Sequence, residues 1–229
     1  MQSTLFVTSK STEQIALNMS NRFYECEFVT VYESPKTTKL PKHKGRVIAI
    51  GGGSVIDTAK IMAGELPCYA IPTTASGAAM TSWAVIWKGN KKITVPTPRP
   101  ILMEAYKYMK ITLSEKASEH TRWDCICHIK DSRNSKYSTP ESLAYCDIAE
   151  MYLKKGGDNN LIEAGNFAGR AIEITGTNFY HCISYVLTLD YGLSHGEALK
   201  EAVLMRNKWP WGEIIGKARK YKKFKDGIQ

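Results

Sequence analysis

The chain has 229 residues, of which 43% are hydrophobic, and its formal net charge is +9. This length allows one large domain or two small ones with a real core, and the longest apolar runs are far too short to cross a bilayer. The N-terminal residues lack the pattern of a secretory signal, and the six cysteines lack zinc-ribbon spacing, so we expect free thiols in a cytoplasmic protein.

The first part of the chain alternates predicted strands with predicted helices. One helix is expected from Ser11 to Asn21, and another begins near Ser54, whose hydroxyl is expected to cap it. The predicted strands are residues 5–8, 27–32, 47–50 and 68–72. This alternation predicts a parallel sheet with helices on its faces.

The pattern changes further along the chain. Residues 83–95 resemble a hairpin, and from about Ser114 the pattern is helical, most clearly in residues 141–152, 161–174 and 197–205. We therefore predict two domains, an α/β domain over residues 1–110 and an all-helical domain over residues 111–229.

Much of the positive charge is concentrated at the C-terminus. The basic residues there are Lys217, Arg219, Lys220, Lys222, Lys223 and Lys225. Such a tail can bind nucleic acid or an anionic surface, or it can be a solvated helix end. No nucleic-acid motif accompanies it, so we favour the helix end and expect neither a nucleic-acid nor a membrane partner. A positive field also favours an anionic substrate and a phosphate-bearing cofactor.

A glycine-rich turn follows the third predicted strand. Gly51, Gly52, Gly53 and Ser54 join that strand to a helix, and the small hydroxyl residues Thr73 and Thr74 follow the next strand. Glycines let the backbone approach a pyrophosphate, and free N–H groups at a helix start favour anions. Two such edges at the ends of parallel strands are typical of a dinucleotide crevice, although a bare glycine run can also be a flexible turn.

One aspartate and three histidines have the spacing of a metal site. Asp124 and His128 are four residues apart and lie on one face of a helix. His181 and His195 would be about 21 Å apart in a straight helix, so the chain must bend between them, and Asn178, Gly192 and Ser194 are plausible breaks. A mixed nitrogen and oxygen ligand set suits Fe or Zn, and the alternative is a group of unrelated histidines.

These motifs, taken in order, resemble the signature of the iron-containing (group III) alcohol dehydrogenases. They are GGGSVIDTAK, IPTTA, Asp-x-x-x-His and His-x(13)-His-Gly. The resemblance implies a dehydroquinate synthase-like fold, with an α/β dinucleotide-binding domain and an all-α domain, in a shortened form. It also implies NAD(P)-dependent interconversion of an alcohol and an aldehyde, with the metal in the cleft between the domains.

The resemblance also assigns roles to residues. It implies that Fe2+ or Zn2+ is held by Asp124, His128, His181 and His195. It implies that NADPH or NADH contacts Gly51, Gly52, Gly53, Ser54, Asp57, Thr73 and Thr74. Ser9 stands where NAD-selective relatives tend to have Asp, which would repel a 2′-phosphate, so we expect NADPH to be accepted.

Within the family, several segments resemble the phosphonoacetaldehyde reductase branch. They include residues 128–132, 138–140, 169–172 and 175–177. This implies reduction of phosphonoacetaldehyde to 2-hydroxyethylphosphonate, with Arg170 as a candidate for binding the anionic group. Tyr185, one turn after His181, is a candidate proton relay. The alternatives are that Arg170 is a solvated helix residue and that Tyr185 is a packed aromatic.

The chain also departs from the family pattern. Residues 75–80 lack the acidic residue of the family's glycine-rich loop, Asn134 and Tyr137 replace an expected aromatic and an expected Asn, and the helical domain is short. We therefore expect a homo-oligomer in which a partner subunit covers the cleft. Two alternatives stay open: a lyase-like enzyme of the same fold that uses NAD without net redox, and a non-catalytic remnant that keeps a metal site.

Overall fold

The computed structural model describes residues 3–89, 91–103 and 114–220, and the chain divides into two compact units, Met1–Leu113 and Ser114–Gln229. The predicted domain boundary near residue 110 lies outside the described residues, as do Lys222, Lys223 and Lys225 of the basic tail. None of the helices in the described part of the chain has the length and apolar character needed to cross a bilayer.

A parallel sheet forms the first unit. Its strands are β1 (Thr4–Thr8), β2 (Cys26–Thr30), β3 (Arg46–Gly51), β4 (Cys68–Pro72) and β7 (Ile101–Leu102), in the spatial order β2-β1-β3-β4-β7. Every neighbouring pair is parallel, and β5 (Trp83–Lys88) and β6 (Lys91–Pro96) form a separate antiparallel hairpin. The predicted parallel sheet and hairpin are confirmed.

Helices cover both faces of this sheet. Because successive side chains of a strand point to opposite faces, Leu5 and Val7 pack toward α2 (Gly53–Ala63), while Phe6 packs toward α1 (Glu13–Ser20). All five residues of β1 are buried, as expected for a strand that is covered on both sides.

The strand order reverses direction at one point. From β1 the chain moves outward to β2, and from β3 it moves outward on the other side to β4. The carboxyl ends of β1 and β3 therefore lie side by side at a topological switch point, where open α/β sheets bind their ligands. The hydroxyl of Thr12, before α1, donates to the carbonyl of Ile50 on β3 over 2.7 Å and joins the two strand ends.

Helices alone make up the regular structure in the described residues of the second unit. They are α3 (Glu115–Arg133), α4 (Pro140–Lys155), α5 (Asp158–Thr175), α6 (Phe179–Tyr191), α7 (His195–Leu204) and α8 (Trp211–Ala218). Apolar residues of α6, α7 and α8, including Ile183, Leu187, Ala202 and Ile214, form a shared buried cluster. The all-helical character predicted for this half is confirmed.

Two local predictions differ from the structure. The N-cap of α2 is Gly52, not Ser54, because the Ser54 hydroxyl lies inside the first turn and bonds the Ser34 hydroxyl at 2.8 Å. The short strand β7 was not predicted, since two residues give no periodicity to detect.

The described part of the basic C-terminal segment fits the helix-end interpretation. The Lys217 ammonium lies 2.8 Å from a carboxylate oxygen of Asp190 and 2.8 Å from one of Glu213. The positive charge of Lys217 is therefore paired with carboxylates of the second unit.

Candidate active site

Asp124 and His128 stand one turn apart on the same face of α3. The N-cap of this helix is Ser114, whose hydroxyl accepts a hydrogen bond from the Ala117 backbone N–H. Nε2 of His128 lies 3.3 Å from Oδ1 of Asp124. The spacing of four residues thus brings the two side chains together as predicted.

A sharp bend brings His181 and His195 to the same place. His181 lies in the first turn of α6, and His195 is the first residue of α7. Gly192 ends α6 in the left-handed conformation with φ 71°, and Ser194 starts α7 with a capping box to Glu197. The predicted breaks at Gly192 and Ser194 are therefore present, while Asn178 is the N-cap of α6 and precedes both histidines. The separation of about 21 Å expected for a straight helix does not apply.

The three imidazoles converge on one carboxylate oxygen. Oδ1 of Asp124 lies 3.3 Å from Nε2 of His128, 3.3 Å from Nε2 of His181 and 4.0 Å from Nε2 of His195. We call these four residues the Asp124 cluster. Donor atoms of Asp124, His181 and His195 all lie within 4.8 Å of one another. Three imidazole nitrogens and a carboxylate oxygen suit Fe(II) or Zn(II), so the donor set fits the metal that the motifs imply.

Burial within the cluster is uneven. His181 and His128 are 1% and 4% exposed, and their rings are stacked with centroids 4.8 Å apart. The side chain of His195 is 43% exposed. Within the second unit, the cluster is therefore open on the side of His195.

The electrostatics of the cluster favour a cation. Burial alone would raise the pKa of Asp124, but His128, His181 and His195 hold that pKa well below its usual value. Burial alone would lower the pKa of His181, but its hydrogen bonds with Asp124 and Asp131 raise it. The carboxylate thus stays ionised, and its negative charge favours a positive charge beside it, on an imidazole or on a bound cation.

Asp131 was missed as a functional candidate. It follows His128 by three residues on α3, is 0% exposed, and bonds Nδ1 of His181 at 2.7 Å. The spacing of Asp124, His128 and Asp131 at i, i+4 and i+7 was the available signal, because these positions share one helix face.

Tyr185 packs beside the cluster. Its ring is stacked on that of His195 with centroids 6.5 Å apart, and lies edge-on to His181 at 6.4 Å. Burial raises the pKa of its hydroxyl far above the usual value. Its ring contacts fit the packed-aromatic alternative, and its role as a proton relay stays a prediction.

Arg170 is not brought together with the cluster. It is exposed on α5, and its guanidinium carbon lies 5.7 Å from the ring centroid of Tyr145 and 5.6 Å from that of Phe167. This stacking is a common use of arginine on a helix surface. These contacts fit the solvated-helix alternative, and the role of Arg170 in binding a substrate anion stays a prediction.

The glycine turn in the first unit is closely packed. A Cβ at Gly52 would lie 3.0 Å from Cγ2 of Thr74, and one at Gly53 would lie 3.3 Å from Oγ of Ser76. Gly51 has φ 159° and its Cβ would clash with Val55. The turn after β3 and the hydroxyl residues after β4 are thus brought together, and no side chain caps the first N–H groups of α2. Free N–H groups at a helix start can bind an anion.

Asp57 contacts the hairpin and a neighbouring lysine. Its carboxylate accepts a hydrogen bond from the Val85 N–H at 3.1 Å and lies 3.6 Å from the Lys60 ammonium. Burial raises the pKa of Asp57, and Lys60 opposes that shift. The carboxylate thus joins α2 to the hairpin, and its assignment to the pyrophosphate turn stays a prediction.

Thr73 and Ser9 follow β4 and β1, two strands of the sheet that are separated by β3. Thr73 is buried, and its N–H donates to the Gly51 carbonyl at 3.0 Å, which ties the β4 edge to the glycine turn. Ser9 follows β1, and its hydroxyl bonds the hydroxyls of Ser11 at 3.0 Å and Thr12 at 2.9 Å. Both residues stand at the carboxyl edge of the sheet.

Comparison with known proteins agrees with this geometry. The family model described as iron-containing alcohol dehydrogenase matches residues 25–102. Phosphonoacetaldehyde reductase of Streptomyces viridochromogenes is 30% identical over 195 residues, which cover 66% of this chain and 49% of that protein. The chain is therefore similar to members of the iron-containing alcohol dehydrogenase family. Maleylacetate reductase of Pseudomonas knackmussii is 38% identical over 114 residues, which cover 47% of this chain and 32% of that protein.

Solved structures of the family share the fold. An iron-containing alcohol dehydrogenase from Thermotoga maritima has a TM-score of 0.76 at 19% identity, covering 100% of this chain and 87% of that one. Maleylacetate reductase from Agrobacterium tumefaciens has a TM-score of 0.74 at 14% identity, covering 87% and 65%. The chain spans about half the length of the phosphonoacetaldehyde reductase and about a third of the maleylacetate reductase.

Proposed function

We propose that this protein is a metal-dependent alcohol dehydrogenase or aldehyde reductase that uses NADPH or NADH. The observation that carries the proposal is the approach of three imidazole nitrogens to one oxygen of Asp124, within 3.3, 3.3 and 4.0 Å. Four side chains from three helices converge here, and their chemistry is that of an iron or zinc ligand set.

Two groups of residues have separate roles in the proposed reaction. Asp124, His128, His181 and His195 would hold the metal, and the glycine turn with Thr73 and Thr74 would receive the cofactor's pyrophosphate. When bound, the metal supplies Lewis-acid polarisation of a carbonyl oxygen and the nicotinamide supplies hydride. The exposed side of His195 provides the approach for a small substrate, and the ring of Tyr185 packs behind it.

For the substrate, we propose an anionic aldehyde, with phosphonoacetaldehyde as the first candidate. Two observations support it: the 30% identity to a phosphonoacetaldehyde reductase and the net charge of +9. We also propose that the protein is a cytoplasmic homo-oligomer. We propose that it accepts NADPH, because Ser9 places no negative charge at the end of β1.

An aldehyde panel tests this function. The chain is reconstituted with Fe(II) or Zn(II) and assayed with NADPH and with NADH against phosphonoacetaldehyde, maleylacetate and neutral aldehydes. Steady cofactor oxidation, with the highest kcat/KM for phosphonoacetaldehyde, supports the proposal. Metal binding without turnover of any aldehyde would instead indicate a non-catalytic remnant, and substrate conversion without net cofactor oxidation would indicate the lyase-like alternative.

A further inference from the structure

The carboxylate of Asp131 forms hydrogen bonds with four nitrogen donors at the start of α6. It accepts hydrogen bonds from the backbone N–H groups of Asn178 at 2.8 Å, Tyr180 at 2.9 Å and His181 at 3.4 Å. Its fourth partner is Nδ1 of His181, at 2.7 Å. Asp131 itself is 0% exposed, and a buried carboxylate is tolerated only when its oxygens are satisfied in this way.

This arrangement fixes the backbone under His181. The N-cap of α6 is Asn178, and its side chain makes no capping hydrogen bond. The first N–H groups of a helix lack partners within it and carry a partial positive charge. A carboxylate from α3 takes the place of a local cap, so the start of α6 is held by the helix that carries Asp124 and His128.

The same carboxylate determines the tautomer of the His181 ring. An ionised carboxylate only accepts hydrogen bonds, so the nitrogen beside it carries the proton. With Nδ1–H directed to Asp131, Nε2 is the nitrogen directed to Asp124, at 3.3 Å. A metal ligand of this kind is held in the correct orientation by the acceptor on its other nitrogen.

We propose that Asp131 is a positioning residue of the Asp124 cluster, which presents Nε2 of His181 to a divalent metal. The inference rests on the proposed metal-dependent function and adds a residue that contacts neither substrate nor metal. It assigns Asp131 two linked tasks: capping α6 and holding the Nδ1–H tautomer of His181.

Nitrogen-15 NMR of the zinc-loaded 229-residue chain tests the tautomer directly. His181 resonances are assigned by comparison with a His181→Gln variant. The expected spectrum shows a proton on Nδ1 and none on the zinc-bound Nε2. A proton on Nε2 would overturn the proposal, and this measurement uses the wild-type chain, so it does not depend on the folding of a variant at Asp131.

Zinc affinity gives a second, independent readout. Asp131→Asn should weaken zinc binding by about 10- to 100-fold, as is usual for the loss of such a partner, and Asp131→Glu should recover part of the loss because it restores a carboxylate. The matched control is Ser142→Ala, since Ser142 is also 0% exposed and completes the capping box of α4 with Thr139. This control should lower the unfolding temperature but leave zinc affinity unchanged.

The outcomes separate the two proposals. Wild-type protein that binds no zinc would overturn the metal-dependent function, and the role of Asp131 with it. Wild-type binding that is matched within twofold by Asp131→Asn would overturn only the role of Asp131. An equal loss of affinity in Ser142→Ala would show that general stability, not positioning, controls binding, and would overturn it as well.

Discussion

The ammonium nitrogen of Lys60 lies 3.6 Å from a carboxylate oxygen of Asp57, one turn earlier on α2, and both residues are buried. Lys60 also donates to the Trp83 carbonyl at 2.7 Å and to the Thr81 hydroxyl at 3.0 Å, while Asp57 accepts from the Val85 N–H. Two residues of the GGGSVIDTAK motif thus bind α2 to the segment that begins the hairpin, and their contacts are those of a structural anchor.

Replacement of Asp57 by Asn should therefore destabilise the fold. The change leaves the buried Lys60 ammonium without its carboxylate, and breaking a buried pair in this way costs about 3–5 kcal/mol. Urea unfolding measures the loss. The control is Glu65→Gln at an exposed carboxylate near the end of α2, which should change stability by less than about 0.5 kcal/mol. Unchanged stability with a large loss of NADPH affinity would instead place Asp57 at the cofactor site.

The close approach of the glycine turn to the β4 edge gives a second prediction. A methyl group at Gly52 would lie 3.0 Å from Cγ2 of Thr74, so Gly52→Ala should displace the turn, cost about 1–3 kcal/mol of stability and weaken NADPH binding. Calorimetric titration with NADPH measures the binding. Normal affinity in this variant would argue against the turn as the pyrophosphate site.

Gly216 provides the matched control for this experiment. It lies within α8, and a Cβ there would meet nothing within 4 Å. Gly216→Ala should stabilise the protein by up to about 1 kcal/mol through helix propensity and leave NADPH affinity unchanged.

Most of the fold could be predicted from local sequence patterns. The strands β1, β3 and β4 are short apolar runs followed by small residues, and the bend between His181 and His195 is encoded by Gly192 and by the capping box of Ser194 with Glu197. These signals act over a few residues, so they can be recognised without knowledge of the tertiary structure.

The contacts that the sequence did not predict are long-range ones. Asp131 and His181 are 50 residues apart, and Asp57 and Val85 are 28 apart. Ser54 has the composition of an N-cap, but its hydroxyl bonds Ser34, 20 residues earlier. Periodicity and spacing carry no information about such pairs, because they arise only when separate elements pack together.

Cofactor choice can be tested at the end of β1. Ser9→Asp introduces a carboxylate there, and two unit charges about 4 Å apart in water repel by about 1 kcal/mol, so affinity for NADPH should fall roughly fivefold or more relative to NADH. Ser20→Asp, at the other end of α1, is the control and should leave the ratio unchanged. A wild-type preference for NADH that Ser9→Asp does not alter would contradict the role of Ser9.

Glu201 should make stability depend on acid pH. Burial alone would raise its pKa, but the Trp209 indole N–H at 2.8 Å and the Lys208 ammonium at 3.1 Å hold it below its usual value. A lowered folded-state pKa means that the stabilisation is present above the unfolded pKa of about 4.3 and is lost as pH falls through the folded pKa.

The corresponding variant is Glu201→Gln. It should lower the free energy of unfolding by about 1.5–3 kcal/mol at neutral pH, and the difference from wild type should shrink as pH falls below about 4. Urea unfolding at a series of pH values measures it, with the exposed Glu25→Gln as control. A difference that is constant across this range would show that the charge of Glu201 does not matter.

The central claim is that the Asp124 cluster holds one divalent metal ion, and metal stoichiometry after reconstitution tests it most directly. Wild-type protein, incubated with Fe(II) or Zn(II) and freed of excess metal, should retain about one ion per chain, as expected for a four-ligand site. His195→Ala and Asp124→Ala should lose most of it. His43→Ala should retain it, because His43 bonds Ser3 in the first unit and is not part of the cluster. Full retention of metal by His195→Ala and Asp124→Ala, with unchanged turnover, would contradict the account.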